Sequence, residues 1–164
     1  MKSLISRRLA AYLIDVCLLF AILAPTALLV ETALGIMPQT MSQVWAATVI
    51  SFSIPAWLYF ILSDCSRSGA TVGKKLLHLK VVGAGGGQIG WLRALLRTAI
   101  KLLPWEMAHL FGFALAEHLG QAWQAAGLFS ANGLVLIYLA VLVSQRGRRS
   151  VHDLVARSEV TESQ

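Results

Sequence analysis

Apolar residues along this chain come in long unbroken runs, with little helical or strand-like rhythm inside them. The first, LAAYLIDVCLLFAILAPTALLV, covers 9–30. About 20 apolar residues in a helix cross roughly 30 Å of hydrocarbon, so this run predicts a spanning helix. Its twelve Leu, Ile, Phe and Val side chains contribute roughly −0.3 to −0.6 kcal/mol each, which outweighs one mid-helix aspartate at about +2.5 to +3.5 kcal/mol. Asp15 therefore does not prevent insertion. The runs at 44–62 and 126–144 carry no charge at all and predict two more spans. Trp45, Trp57 and Tyr59 are rings of the kind that favour headgroup depth, with Trp57 set deep for that role. Pro25 and Pro55 fall inside such runs, where neighbouring groups must satisfy the carbonyls they free.

A fourth run, 102–119, is weaker. It holds seven strongly apolar side chains beside Pro104, Glu106, His109, Glu117 and His118. Alone it supplies about −2 to −4 kcal/mol, and Glu106 cancels that. Charge placement changes the picture. All fourteen Lys and Arg fall at 2–8, 67–101 and 146–157, and positive flanks stay on the cytoplasmic side. The N-terminus, the middle stretch and the tail then share one side. Two crossings join the first two of these. Joining the last two requires 102–119 to cross as well.

Composition agrees with a lipid environment: 57% of residues are hydrophobic and 13% charged, against about a quarter charged in soluble domains. The net charge of +6 punctuates apolar runs instead of forming a basic face, which excludes nucleic acid as a partner. Lys2, Arg7 and Arg8 before an apolar run imitate a signal peptide. That run is longer than a signal's apolar region and more spans follow, so a retained helix is predicted. Cys17 and Cys65 show no C-x-x-C spacing, and Cys17 reads as a small core residue.

The expectation is one domain over 1–160: an all-α integral membrane protein with four transmembrane helices and both termini cytoplasmic. Its loop at 63–101 would hold a short hairpin and an interfacial amphipathic helix, and its tail would run from 145 to 164. LLHLKVV (76–82) alternates partially before GAGGGQIG turns the chain. WLRALLRTAIK (91–101) places Arg93, Arg97 and Lys101 on one stripe, suited to anionic lipid headgroups. GGGQIG fits G-x-G-x-x-G, but the βαβ unit it needs has no room here. GATVGKK lacks one residue between its glycines for a phosphate loop, and Lys75 replaces the hydroxyl residue. No cofactor is expected.

The polar residues inside apolar runs are the candidate site, because an ionisable group in lipid faces the bundle or a wet cavity. Asp15 lies about two turns from Arg8, too far for direct contact, so it needs a partner from another element or a proton of its own. Arg93, Arg97, Arg148 and Arg149 all sit at the cytoplasmic boundary, where long side chains reach inward. Asp15 is then a structural salt bridge, a cation or proton site, or a contact for lipid headgroups or a partner protein. Glu106 and His109 share a helix face at i and i+3. One E-x-x-H motif does not make a di-metal bundle, so no metal site is expected. They read as a packed pair or a proton-holding pair. Asp153 stands at i+4 from Arg149 and pairs with it if that segment is helical. No nucleophile, base and orienting acid occur at useful spacing, so an enzyme is not expected.

Taken together, these segments resemble the RDD family of small bacterial membrane proteins, named for arginine and aspartate positions. RRLAAYLIDVCLL fits through Arg8, Ala11, Ile14 and Asp15. GATVGKKLLHLKVV and RALLR fit through Gly69, Thr71, Gly73, Lys74, Leu79, Val81, Val82, Arg93 and Arg97. RRSVHDLVARSEV fits through Arg149, His152 and Asp153. The resemblance covers roughly 7–160. His78 stands where the family often has glycine, and Ser158 where threonine is usual. The resemblance implies an inner-membrane protein, with transport proposed for the family and cation/proton antiport for some members. Asp15 would then carry a cation or proton, tuned by Arg8, Arg93 and Arg97. Four helices without an inverted repeat are few for alternating access, so a homo-oligomer or a membrane-protein partner is implied. The alternative is a non-transporting accessory protein that binds anionic lipid through Arg93, Arg97 and Lys101.

Overall fold

A computed structural model describes residues 3–114 and 122–163 of the chain; Glu117 and His118 lie outside them. Helix α1 (Leu4–Leu34) starts where the Ser3 hydroxyl accepts the Ser6 N–H and ends at Gly35, whose φ of 65° suits only a residue without Cβ. Its 31 residues measure about 46 Å, more than the hydrocarbon needs. A second rod comprises α2 (Met41–Thr48), a π-helical turn (Val49–Ser53) and α3 (Ile54–Asp64). The π turn sits directly before Pro55. A proline crowds the carbonyl four residues back and donates nothing to it; the widened turn, closed by Ile54 N–H to Val49 O, relieves that crowding.

The chain continues with α4 (Val72–Leu76), β1 (Leu79–Gly83) and α5 (Trp91–His109), which extends through a second π turn, Leu110–Ala114. It closes with α6 (Ala122–Ser144), α7 (Val151–Val155) and β2 (Ser158–Glu162). Three helical rods, Leu4–Leu34, Met41–Asp64 and Ala122–Ser144, are long and apolar enough to cross a membrane. Leu13, Leu29, Ile50, Leu62, Phe129 and Leu136 on them are all exposed. Large apolar side chains so abundant on the outside call for lipid as the surrounding medium.

The expected local hairpin is replaced by a long-range pairing. Gly83–Gly87 do turn the chain, with Gly86 N–H on Gly83 O and Gly83 N–H on Gly87 O, both at 2.8 Å. The chain then enters a helix, because residues from 91 on have no strand-like run. Strand β1 instead pairs antiparallel with β2 from the tail, Val81 opposite Val160 and Gly83 opposite Ser158. Leu79, Val81 and Val160 from this ribbon form a core with Ala11 of α1, Ile61 of α3 and Ala94 of α5. Arg7 donates to the Leu77 and His78 carbonyls, and Arg8 to those of Gly147 and Arg148. The start of α1, the middle segment and the tail are thus gathered at one end of the molecule.

Helix α5 runs antiparallel to α6. The Tyr138 hydroxyl of α6 donates to the Ile100 carbonyl at 2.7 Å, and Gln124 near the start of α6 donates to the Phe111 carbonyl at 2.9 Å. The first of these solves a problem that Pro104 creates, since Ile100 is the residue whose carbonyl that proline leaves without its helical donor. Gly127 permits the approach, because a Cβ there would overlap the Phe111 ring.

The sidedness of α5 corrects the interfacial-helix expectation. Trp91, Leu92, Leu96 and Leu103 face outward, while Arg97 is 1% exposed and Thr98 fully buried. Arg93 is exposed at the helix start, so the three cations do not form one headgroup-facing stripe. The helix is polar on its inner face and apolar on its outer one. Cys17, expected in the core, is exposed on α1.

His78 adopts φ 51°, a left-handed conformation that costs a residue with a Cβ about 1–2 kcal/mol. This explains why glycine suits the position. Glycine's greater unfolded-state freedom takes back about 0.5–1 kcal/mol. His78→Gly is therefore expected to stabilise the fold by about 0.5–1 kcal/mol, read as a higher melting temperature in detergent.

Candidate functional site

Five elements meet in one buried ionic network at the gathered end. Arg97, on the inward face of α5, reaches Asp64 at the end of α3 through Nη1, and Asp153 on α7 through Nε at 3.0 Å and Nη2 at 2.9 Å. Lys74 of α4 places Nζ 2.6 Å from the other Asp64 oxygen, and Arg8 of α1 places Nη2 2.6 Å from Asp153 Oδ2. Asp153 also accepts the Ser150 N–H at 2.8 Å, as the acidic member of the capping box that starts α7. Both aspartates are fully buried. Burial alone would raise the Asp153 carboxyl, but the guanidinium groups of Arg97 and Arg8 outweigh it and hold the group far below the usual carboxylate range. Neighbouring His152 is pushed well below its ordinary range, first by burial, against the pull of Asp153, with Arg97, Arg8 and Lys101 adding to the effect. It is neutral at physiological pH.

Asp15 is handled differently. It is 1% exposed, yet no cation lies within ion-pair distance among the described residues. Its oxygens accept three neutral donors: the Tyr59 hydroxyl at 2.7 Å, the Thr71 hydroxyl at 2.6 Å and the Gly73 N–H at 2.7 Å. Thr71 is the N-cap of α4, and Tyr59 is itself fixed by the Val72 N–H at 3.0 Å. The close seat of α4 on α1 requires glycine at 73, since a Cβ would overlap the Ala11 carbonyl. The expected arginine salt bridge to Asp15 is therefore absent; α4 brings donors to it, and the arginines are drawn to Asp64 and Asp153.

Beside both groups lies a cavity of about 330 Å³, within the range of small-molecule sites. Arg8, Asp15, Lys74, Arg97, Lys101 and His152 contribute its polar lining, and the rest is largely apolar side chains of α1, α5 and α6. Lys101 Nζ stands 3.2 Å from the Phe60 ring centroid, a cation–π contact.

Of the residues anticipated from sequence, Arg8, Arg97 and Asp153 are in direct contact, with Asp15 on the same cavity. Arg149 does not pair with Asp153: it reaches Glu159 at 3.3 Å at the ribbon's edge. Arg93 lies beside Gly83. Glu106 and His109 do not hydrogen-bond each other. Glu106 accepts from Trp57 at 2.9 Å and Ser53 at 3.1 Å, the latter presented by the first π turn. His109 packs edge-on against Trp105 and stacks with Phe113. Among the described residues no cluster of three or more His, Cys, Asp or Glu is placed to hold a metal. Asp64, Lys74, Tyr59, Thr71 and Gly73 complete the site without having been marked as site residues from the sequence.

The family model of the RDD family matches residues 3–157, nearly the whole chain. The chain belongs to the RDD family. Neither a curated protein nor a solved structure matches it. In this RDD protein the segments that carry the family pattern (Arg8 and Asp15, Thr71 to Lys74, Arg97, and His152–Asp153) come from distant parts of the chain. They converge on one network and one cavity.

The depressed Asp153 carboxyl sets a pH expectation. A group whose folded pKa lies below its unfolded value stabilises the fold above the unfolded value, near 3.9. That contribution is lost only as pH falls through the folded value. Melting temperature should thus show no loss from this group between pH 8 and 5. Asp153→Asn removes the partner of two buried arginines and is expected to cost about 3–5 kcal/mol across that window, measurable by denaturation in detergent.

Proposed function

We propose that this RDD protein moves a small solute across the bilayer, with the cavity beside Asp15 as its site and a proton on Asp15 as the coupling element. The observation that carries the reading is the contrast between neighbouring acids. Asp64 and Asp153 are neutralised by fixed cations, whereas Asp15 is held by neutral donors at the cavity wall. Placing a proton on a carboxylate supported this way breaks no ion pair, but requires one of its donors to turn away, so proton movement is coupled to rearrangement of Tyr59 or Thr71. The site also carries more positive than negative groups, which disfavours a bare metal cation as the solute.

Four crossings, with both termini cytoplasmic, suit this reading. The inward polarity of α5, its antiparallel run beside α6 and the gathering of both basic ends with the middle segment support α5 and its continuation as the fourth span. Single cysteines at Gly86 and Ser163, in a chain with Cys17 and Cys65 replaced, should both react with an impermeant thiol reagent from the cytoplasmic face only. A cysteine at Gln39, in the connection between the first two rods, should react from the opposite face. Labelling of Gly86 and Ser163 from different faces would end the four-span reading.

Flux is tested in vesicles reconstituted with purified protein under an imposed pH gradient, using a panel of ions and small organic anions. The Asp15→Asn variant keeps the shape of the group and loses its charge. It is expected to lower flux by at least about tenfold, a loss of roughly 1.4 kcal/mol or more, while the protein still inserts and melts as a folded species. Wild-type flux no greater than in empty vesicles, or flux unchanged in the variant, would end the transport reading.

A further inference from the structure

The charges around the cavity do not balance within the chain. Arg8, Lys74, Arg97 and Lys101 supply four cations, and Asp15, Asp64 and Asp153 supply three carboxylates. The cation left over is Lys101. Among the described residues no acidic oxygen lies within 4.0 Å of its Nζ, which rests instead on the face of Phe60. Glu106, the next carboxylate along α5, is taken up by Ser53 and Trp57. Lys101 is half-buried, and Asp64 and Asp15 act on it only from beyond ion-pair distance; a cation drawn partly out of water without a direct anionic partner is costly. A second group is also unfinished: His152 is 9% exposed, lines the same cavity, and its Nδ1 has no hydrogen-bond partner. Its Nε2 faces Asp153 Oδ2 at 3.4 Å, which places the proton of the neutral ring on Nε2 and leaves Nδ1 as an acceptor.

The remaining lining determines what else the ligand must be. Leu9 and Tyr12 of α1, and Val135, Leu139 and Leu142 of α6, make an apolar wall. Leu9, Tyr12, Val135 and Leu139 are also exposed, so the cavity opens outward between α1 and α6, two of the helices apolar enough to span the membrane. A small hydrophilic anion would satisfy Lys101 but leave this wall unused; a neutral lipid would use the wall and leave Lys101 alone.

We propose that the cavity binds an anionic phospholipid from the surrounding leaflet, its phosphate on Lys101 and an acyl chain between α1 and α6. This assigns an occupant to the cavity named under Proposed function and rests on that cavity being a ligand site, but its test requires no transport.

Protein purified in neutral detergent is incubated with equal amounts of phosphatidylglycerol and phosphatidylcholine. After desalting, retained lipid is quantified by mass spectrometry. The wild type is expected to retain phosphatidylglycerol at least about tenfold over phosphatidylcholine. Lys101→Met should lower that retention about tenfold, and Lys101→Arg should keep it. Ala108→Leu narrows the apolar part of the cavity without changing charge and should lower retention as well. If the Met variant does not fold, the Arg and Leu variants decide. Equal retention of the two lipids, or retention indifferent to Lys101→Met, would overturn the proposal. So would displacement of phosphatidylglycerol by millimolar inorganic phosphate together with no effect of Ala108→Leu, since the ligand would then be free phosphate. Loss of lipid preference with solute flux intact removes the lipid alone, whereas lipid retention without flux removes the transport reading alone.

Discussion

Everything at the gathered end depends on one guanidinium that has no access to water. Arg97 is 1% exposed, and its fork spans two carboxylates that sit at the end of α3 and on α7. An arginine in that position without partners would cost several kcal/mol. The end of the second rod, the inner face of α5 and the tail must therefore arrive at the same level. Lys74 and Arg8 occupy the remaining carboxylate oxygens and bring α4 and α1 to that level too. The network does not maximise stability, since a well-packed apolar cluster could match it. Its directional pairing instead defines which segments meet, in a medium where apolar contact between helices discriminates poorly.

That constraint also explains the unusual treatment of Asp15. With Arg8 committed to Asp153, Arg97 to both of the other acids, Lys74 to Asp64 and Lys101 seated on the Phe60 ring, no cation among the described residues comes within ion-pair distance of the carboxylate one helical stretch further along α1. The chain satisfies it with a short helix seated so closely that only glycine fits at 73. The outcome is two acids locked as anions and one held by dipoles, within a single small assembly. Chemically these are different objects. One kind is fixed by ion pairs and the other by hydroxyls and a backbone N–H, so only the second can change partners without breaking an ion pair.

Unbroken apolar length and charge placement made the lipid-facing rods legible, because both are properties of consecutive residues. Arg8, Arg97 and Asp153 stood out as charges next to or within apolar surroundings, and they do meet. Their pairing did not follow from spacing. Asp153 is four residues from Arg149, yet it joins Arg8 and Arg97, which are 145 and 56 positions away. Asp64 was not singled out in the sequence, and Tyr59 read as a headgroup ring; only the fold shows one completing the network and the other donating to Asp15. The β1–β2 ribbon was illegible for the same reason: an alternating stretch followed by glycines suggests a neighbour in sequence, while the true partner lies beyond α5, α6 and α7. The glycine-favouring site at His78 was a partial exception, since a family preference already pointed to a backbone with positive φ.

The two π turns and the prolines form a second layer of the design. An interior proline in lipid frees a carbonyl that no water can satisfy. Pro55 is accommodated by widening the turn before it. Pro104 is accommodated by a tyrosine from the neighbouring helix, which ties α6 to α5 at Ile100. The first π turn ends at Ser53, whose hydroxyl, with the Trp57 ring N–H, satisfies Glu106 from α5. Each defect in a helix is thus the place where another helix is held. A polar interior assembled in this way needs few contacts to define it, and it leaves Lys101 on the face of the Phe60 ring, with no carboxylate within ion-pair distance among the described residues.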